Sequence, residues 1–287
     1  MNTQFLELLR EPESKEALIF ETGTGTLSTA NGVSYKLIEK VPVLLPQHNG
    51  QQPDYQTHYE NDALAFDYFS DWDPITQEEN RRLHQQILRQ IPADASWILD
   101  VGCGGAWLAG SLCPKGRQVI SMDISTANPV RALKEVTAPT HFALVADVYA
   151  LPFAPDSLDC IVAAEIIEHV PDPATFLQCL LQVLKPGGTL IVSTPYNEKI
   201  QYSLCVHCNQ RTPHNAHLHS FTEPKIKQLL PASVSSAETI VCNSKLLVNL
   251  RLQKLWKNLP FGVWNTLDRL ALKLIKKAHR LLLVVRK

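Results

Sequence analysis

From Trp97 to Ser193, short apolar runs alternate with stretches of helical spacing, and the runs end on the same kinds of residue. Trp97–Val101 leads into Gly102-Cys103-Gly104-Gly105, Gln118–Met122 stops at Asp123, and Phe142–Ala146 stops at Asp147. Leu158–Ala163 ends beside Glu165, and Thr189–Ser193 follows Pro186-Gly187-Gly188. Such runs, bounded by glycine, proline and acids, predict an α/β chain with a doubly wound, Rossmann-like parallel sheet and ligands at the carboxyl ends of its strands. With 287 residues, 45% of them hydrophobic and 19% charged, the chain is long enough for that sheet plus a small module, and wholesale disorder is excluded.

Glycines at 102 and 104 let backbone amides approach a ligand, and a carboxylate about 20 residues further on accepts ribose hydroxyls. A dinucleotide would share both features, but its pyrophosphate wants a small residue where this chain has Trp107. Asp123 and Asp147 at successive strand ends suit a ligand with a ribose, an adenine amino group and a cationic sulfonium. The plainer alternatives are glycines that serve only a tight turn and aspartates that cap helices.

Residues 96–196 resemble the core of class I S-adenosylmethionine (SAM)-dependent methyltransferases. The resemblance runs through Leu99-Asp100-Val101-Gly102-Cys103-Gly104, Asp123, Ala146-Asp147-Val148 with Leu151-Pro152-Phe153, Glu165-Ile-Ile-Glu168-His169-Val170, and Leu184-Lys-Pro-Gly-Gly-Thr189. It implies that Asp100 organises the loop, Gly102 and Gly104 flank the methionine moiety, Asp123 binds the ribose, and Asp147 with Val148 binds the adenine. The family's third small glycine is Ala106 here. Glu165, Glu168 and His169, at i, i+3 and i+4, share one face if a helix follows the fourth strand. His169 is then expected to take a proton from a hydroxyl or amine acceptor, while capping or packing of the helix is the alternative. The similarity to quinone O-methyltransferases also makes this trio a candidate holder of a divalent ion. A sulfonium is an activated donor, so positioning and exclusion of water are the main demands on the protein.

A second cluster, residues 205–221, holds Cys205, Cys208, His214, His217 and His219. Cys205 and Cys208 with two of the histidines, His217 and His219 being the expected pair, make a four-ligand structural zinc site. The alternative is a reduced cysteine pair beside a His-rich substrate loop in which His217 acts as base or substrate contact.

Residues 1–46 read as a β-rich module with a hairpin turn at Asn31-Gly32. The module resembles the zinc-ribbon-like activator domain of tRNA methyltransferases, with Glu11, Ser14, Ser28 and Asn31 where that family has zinc cysteines, which implies a metal-free docking or structural role and a candidate protein partner. Residues 47–74 are expected to be a polar lead-in, and 75–287 the methyltransferase domain, opening with an amphipathic helix over Ile75–Ile91 and closing with a strand at Leu281–Val285.

The formal net charge of −1 hides an asymmetry. Residues 245–287 carry eleven Lys and Arg against Asp268 alone, a net of +10. Interleaved leucines and tryptophans make 245–280 a basic amphipathic region suited to an anionic membrane surface; RNA ranks second, and packing on the chain's own domain is the plain alternative. An odd set of seven cysteines, an acidic N-terminus and no apolar run of about 20 residues lead us to expect a cytoplasmic protein, peripheral at the inner face of the membrane. The expected activity is SAM-dependent methyl transfer to a small-molecule or lipid-linked acceptor of quinone or glycan type. The alternatives are an RNA methyltransferase and a non-catalytic SAM-binding scaffold.

Overall fold

The computed structural model describes the chain apart from residues 48–53, 71–72, 205–208, 235 and 251–256. Its first strands are short. β1 (Ile19–Glu21), β2 (Thr26–Ser28) and β3 (Ser34–Tyr35) form an antiparallel sheet, and β4 (Leu37–Ile38) pairs with β5 (Val41–Leu44). The predicted apolar runs become β6 (Trp97–Val101), β7 (Gln118–Asp123), β8 (His141–Ala146), β9 (Leu158–Ala164) and β10 (Leu184–Pro195). A small hairpin, β11 (Tyr202–Leu204) and β12 (Arg211–Pro213), precedes β13 (Ser236–Ser244) and β14 (Ala278–Arg286). The helices are α1 (Thr3–Leu8), α2 (Asp54–Ala65), α3 (Pro74–Leu88), α4 (Trp107–Leu112), α5 (Ala127–Glu135), α6 (Pro173–Val183), α7 (Glu223–Lys227), α8 (Lys245–Asn249) and α9 (Phe261–Leu274).

One nine-stranded sheet runs in the order β13-β14-β10-β9-β6-β7-β8-β5-β4. From β10 to β5 the neighbours are parallel, and β14 enters antiparallel between β10 and β13. Strand order reverses between β6 and β9, so the ligand crevice of a doubly wound sheet opens at their carboxyl ends. Alternate side chains bury both faces, as a parallel sheet requires. Leu99, Met122, Ile161 and Val192 join Phe176, Leu177 and Leu180 of α6, whereas Ile98, Val119, Val162 and Ile191 join Leu83 and Ile87 of α3 and Leu108 of α4. The strand predicted at Leu281–Val285 lies within β14.

The N-terminal segment packs into the same core. Phe5 of α1 stacks on Phe142 and Trp97 at centroid distances of 4.9 and 6.4 Å. Arg10 N donates to Pro152 O at 2.9 Å, and Ala154 N donates to Leu8 O at 2.9 Å. Glu11 accepts from Glu13 N at 2.8 Å, from Ser14 N and from the Tyr35 hydroxyl, while Asn31 Nδ2 donates to Glu16 Oε1 and Ser28 Oγ donates to Glu21 Oε1. β5 pairs with β8, so the central sheet reaches back into residues 37–44.

Two readings of local structure change. The polar lead-in at 47–74 contains α2, anchored by tyrosines rather than by an apolar stripe. The helix considered after β9 is a turn instead: Glu165 has a left-handed φ of 59°, His169 N donates to Ile166 O at 2.9 Å, and α6 starts only at Pro173 behind its Asp172 cap. Proline at 171 disfavours helix just before it, and Asp-Pro is a strong helix start. No described helix is long and apolar enough to cross a membrane.

Candidate active site

The loop after β6 turns sharply. Gly102 has φ 69°, its N–H donates to Met122 O at 2.8 Å, and a Cβ there would meet Ile166 Cδ1 at 2.2 Å. Gly104 has φ 42° under the ring of Tyr68. Ala106 caps α4 at φ 54°, a conformation that glycine adopts more cheaply, which accounts for the glycine usual in related loops. Asp100 is 1% exposed and lies behind the cleft, with one carboxylate oxygen unpartnered; burial, reinforced by the charge of Asp123, pushes its carboxyl well above the usual range.

Gly102, Gly104, Asp123, Asp147 and Val148 line one continuous cleft. Asp123 accepts from Ser125 N and Oγ at 3.0 Å each and from Asn128 Nδ2 at 3.1 Å, and burial raises its carboxyl. Asp147 Oδ1 accepts from Tyr149 N at 2.9 Å, and its other oxygen accepts from the Tyr55 hydroxyl. The two aspartates are thus both turn-formers and cleft walls. The cleft holds about 1350 Å³, beyond the roughly 300–1,000 Å³ usual for one small ligand, so a nucleoside cofactor and an acceptor fit together.

Sequence reasoning missed the wall opposite. Tyr55, His58, Tyr59 and Asp62 of α2, followed by Phe66, Tyr68 and Phe69, line the cleft, and Tyr68 and Phe69 lie against Gly104 and Gly105. Glu60 Oε2 accepts from Thr126 N at 2.7 Å and Tyr68 donates to Asp62 at 2.5 Å, fixing the segment. Burial pushes the Tyr59 hydroxyl up to about 12, so it stays protonated. The available signal was Tyr55 and Tyr59 at i, i+4.

The acid–base trio divides. Glu165 turns aside: its Oε1 accepts from Ser193 Oγ at 2.8 Å and its Oε2 lies 3.1 Å from Arg280 Nε of β14. Glu168 is 1% exposed beside the Thr194 hydroxyl, and burial followed by the charge of Glu165 pushes its carboxyl well above the ordinary range. Burial and the neighbouring His217 push His169 down to about 4, so it is neutral at physiological pH. His217 stands 4.8 Å from the His169 ring, with Nδ1 against Glu198 Oε2 at 2.5 Å. Glu168, His169 and His217 offer ligand atoms within 4.8 Å of one another, with Glu198 placed to orient His217, so this is the described group best disposed to hold a metal ion.

Of the expected zinc set, Cys205 and Cys208 lie outside the described residues. The two described members serve elsewhere: His217 as above, and His219 with Nε2 3.0 Å from Val170 O. Leu218 N donates to Glu168 O at 2.8 Å, so the His-rich segment is tied to the turn after β9.

The comparisons agree with this geometry. Residues 99–192 match the methyltransferase domain family. The mitochondrial ubiquinone biosynthesis O-methyltransferase of Homo sapiens is 32% identical over 156 residues, covering 50% of this chain and 42% of that protein. The ubiquinone biosynthesis O-methyltransferase of Albidiferax ferrireducens is 35% identical over 134 residues, covering 43% and 52%. The chain therefore spans about half the length of the curated relatives it matches. Among solved structures, the N-methyltransferase NodS from Bradyrhizobium japonicum, in complex with S-adenosylhomocysteine, superposes with a TM-score of 0.53 at 18% identity, over 82% of this chain and 99% of that one. A SAM-dependent methyltransferase from Mesorhizobium loti gives 0.50 at 18% identity over 73% and 100%. Fold and crevice define the class: this is the Rossmann-like fold of class I SAM-dependent methyltransferases. The match to the methyltransferase domain family runs from within β6 to within β10.

Proposed function

We propose that the chain is a SAM-dependent methyltransferase acting on a hydroxylated small molecule or lipid-linked acceptor of quinone type. The observation that carries this reading is the juxtaposition, in one cleft, of the glycine loop with Asp123 and Asp147 and of a neutral His169 beside the buried Glu168. SAM fits the residues present: Gly102 and Gly104 would admit the methionine moiety closely, Asp123 would hold the ribose, and Asp147 with Val148 the adenine. When bound, SAM supplies an electrophilic methyl group on a sulfonium. His169, uncharged, accepts the proton of an acceptor hydroxyl, with Glu168 and His217 beside it. Tyr55, Tyr59 and Tyr68 keep water out of the cleft. A divalent ion held by Glu168, His169 and His217 would lower the hydroxyl's pKa at the same place.

The finer readings belong here too. The acceptor, if lipid-linked, is met at an anionic membrane surface on the cytoplasmic side. Residues 1–46 serve as an internal structural buttress rather than as a site for a protein partner, a reading supported by Phe5 and Leu9 in the shared core. A zinc ion on Cys205 and Cys208 would need ligands beyond His217 and His219 as these stand. The test is incubation of the purified chain with methyl-labelled SAM and either a catechol-type quinone precursor, total RNA or a protein extract. We expect label in the quinone precursor. Label in RNA alone would establish the RNA alternative, and SAM binding without label anywhere would establish the scaffold.

A further inference from the structure

Helix α9 has two apolar sides. Trp264 and Ala271 face inward with Asp268, whose carboxylate accepts from Asn243 N at 3.1 Å and Ser244 N at 2.6 Å, so this side fastens α9 to β13. The other side is left to solvent: Val263 is 49% exposed, Leu270 52% and Leu274 80%, and Ile275 just past the helix is 40% exposed. At about 100° per residue, Val263, Leu270 and Leu274 fall within roughly 40° of arc, a single stripe. Exposed Arg269, Lys273, Lys276 and Lys277 flank it, and the side chains of these four make no ion pair or hydrogen bond among the described residues. An apolar stripe edged by unpaired cations is costly in water and complementary to an anionic bilayer surface.

The stripe lies near the rim of the active site. β14 begins directly after it, and because β14 runs antiparallel to β10, its first residues sit at the crevice end of the sheet, where Arg280 pairs with Pro195. His279, Arg280 and Lys245 line the cleft, and Lys245 N donates to Lys277 O at 2.9 Å. RNA is the poorer occupant, because Trp264, the described tryptophan of this region, is buried and offers no face for base stacking.

We propose that the exposed face of α9, with Lys276 and Lys277, docks on an anionic lipid bilayer and sets the mouth of the methyl-transfer cleft at the membrane surface. It deepens the lipid-linked reading of the acceptor, on which it rests for its purpose though not for its test. Flotation of the full chain with phosphatidylcholine vesicles, with and without phosphatidylglycerol, reads the docking directly. The wild type is expected to float only with phosphatidylglycerol present and to be released by salt. Each cation near an anionic surface is worth about 1 kcal/mol, or roughly fivefold, so the triple variant K273Q/K276Q/K277Q loses about 100-fold in partitioning. Leu270→Glu with Leu274→Glu abolishes flotation, while SAM titration of both variants matches wild type and shows that they fold. The proposal is overturned by a wild type that stays in solution with phosphatidylglycerol, by variants that float as well as wild type, or by salt-sensitive binding of RNA without vesicle binding. Methylation of a soluble acceptor without flotation would defeat the docking alone; flotation without methylation of any acceptor would defeat the enzymatic reading alone.

Discussion

Ile166 Cδ1 stands 2.2 Å from where a Cβ would sit on Gly102, whose φ of 69° already disfavours any side chain. Strain and clash together cost a Gly102→Ala variant about 2–4 kcal/mol. The loss should appear as a lowered denaturant midpoint; a midpoint equal to that of wild type would contradict the close approach. His169 bears on turnover instead. His169→Asn should lower single-turnover methyl transfer by about 10²–10⁴, the usual worth of a general base, with SAM affinity unchanged. Retained rate would remove the base from the account. At this scale the motif residues were legible: the glycines, Asp123 and Asp147 fall where the sequence put them, because tight turns and strand ends admit few side chains. Glu165 was not. Its left-handed backbone and its pairing with Arg280, 115 positions later in a strand from the far end of the chain, leave no local trace.

Helix α2 shows what periodicity misses. Its residues, Asp54-Tyr-Gln-Thr-His-Tyr-Glu-Asn-Asp-Ala-Leu-Ala65, carry no apolar stripe, so nothing in the pattern separates them from a linker. Contacts made across the cleft hold the helix, above all the Tyr55 hydroxyl on Asp147. Hydrogen bonds to charged groups are worth about 1.5–3 kcal/mol, so Tyr55→Phe should speed amide exchange over residues 54–65 by roughly tenfold or more while leaving the sheet's exchange as it was. Uniform exchange in both proteins would mean that α2 is held by something else. Helix α1 is the opposite case, a short element fastened by one buried ring. Phe5→Ala should destabilise the whole chain by about 3–5 kcal/mol, read as a lowered denaturant midpoint. A separate early transition with the sheet's midpoint unmoved would show instead that residues 1–46 fold apart from the core.

For the molecule as a whole, the alternation of strands and helices carried the fold, and the reversal of strand order between β6 and β9 located the crevice. The boundary at residue 46 was harder to read, since β4 and β5 look local in sequence and join the central sheet through a partner about 100 positions away. Burial also writes a pH dependence into the fold. His84, His169 and His279 are each pushed down to about 4 by burial, so between that value and 6.5 the unfolded chain binds protons that the native chain refuses. The contribution of these three imidazoles to stability is therefore fully present above this window and lost as pH drops through it, whereas the raised carboxyls of Asp100 and Glu168 act in the opposite sense. Denaturant midpoints at a series of pH values, compared between wild type and His84→Gln, check the sign; a wild-type midpoint that falls no more steeply than the variant's from neutrality to pH 5 would contradict it.

The central claim is transfer of a methyl group from SAM to a quinone-type hydroxyl in this cleft. The most direct measurement is mass analysis of a catechol-type quinone precursor after incubation with the purified chain and SAM carrying a labelled methyl. The account predicts a product heavier by one labelled methyl on oxygen, formed by the wild type and reduced in His169→Asn. An unmodified acceptor, in the presence of demonstrated SAM binding, would contradict it.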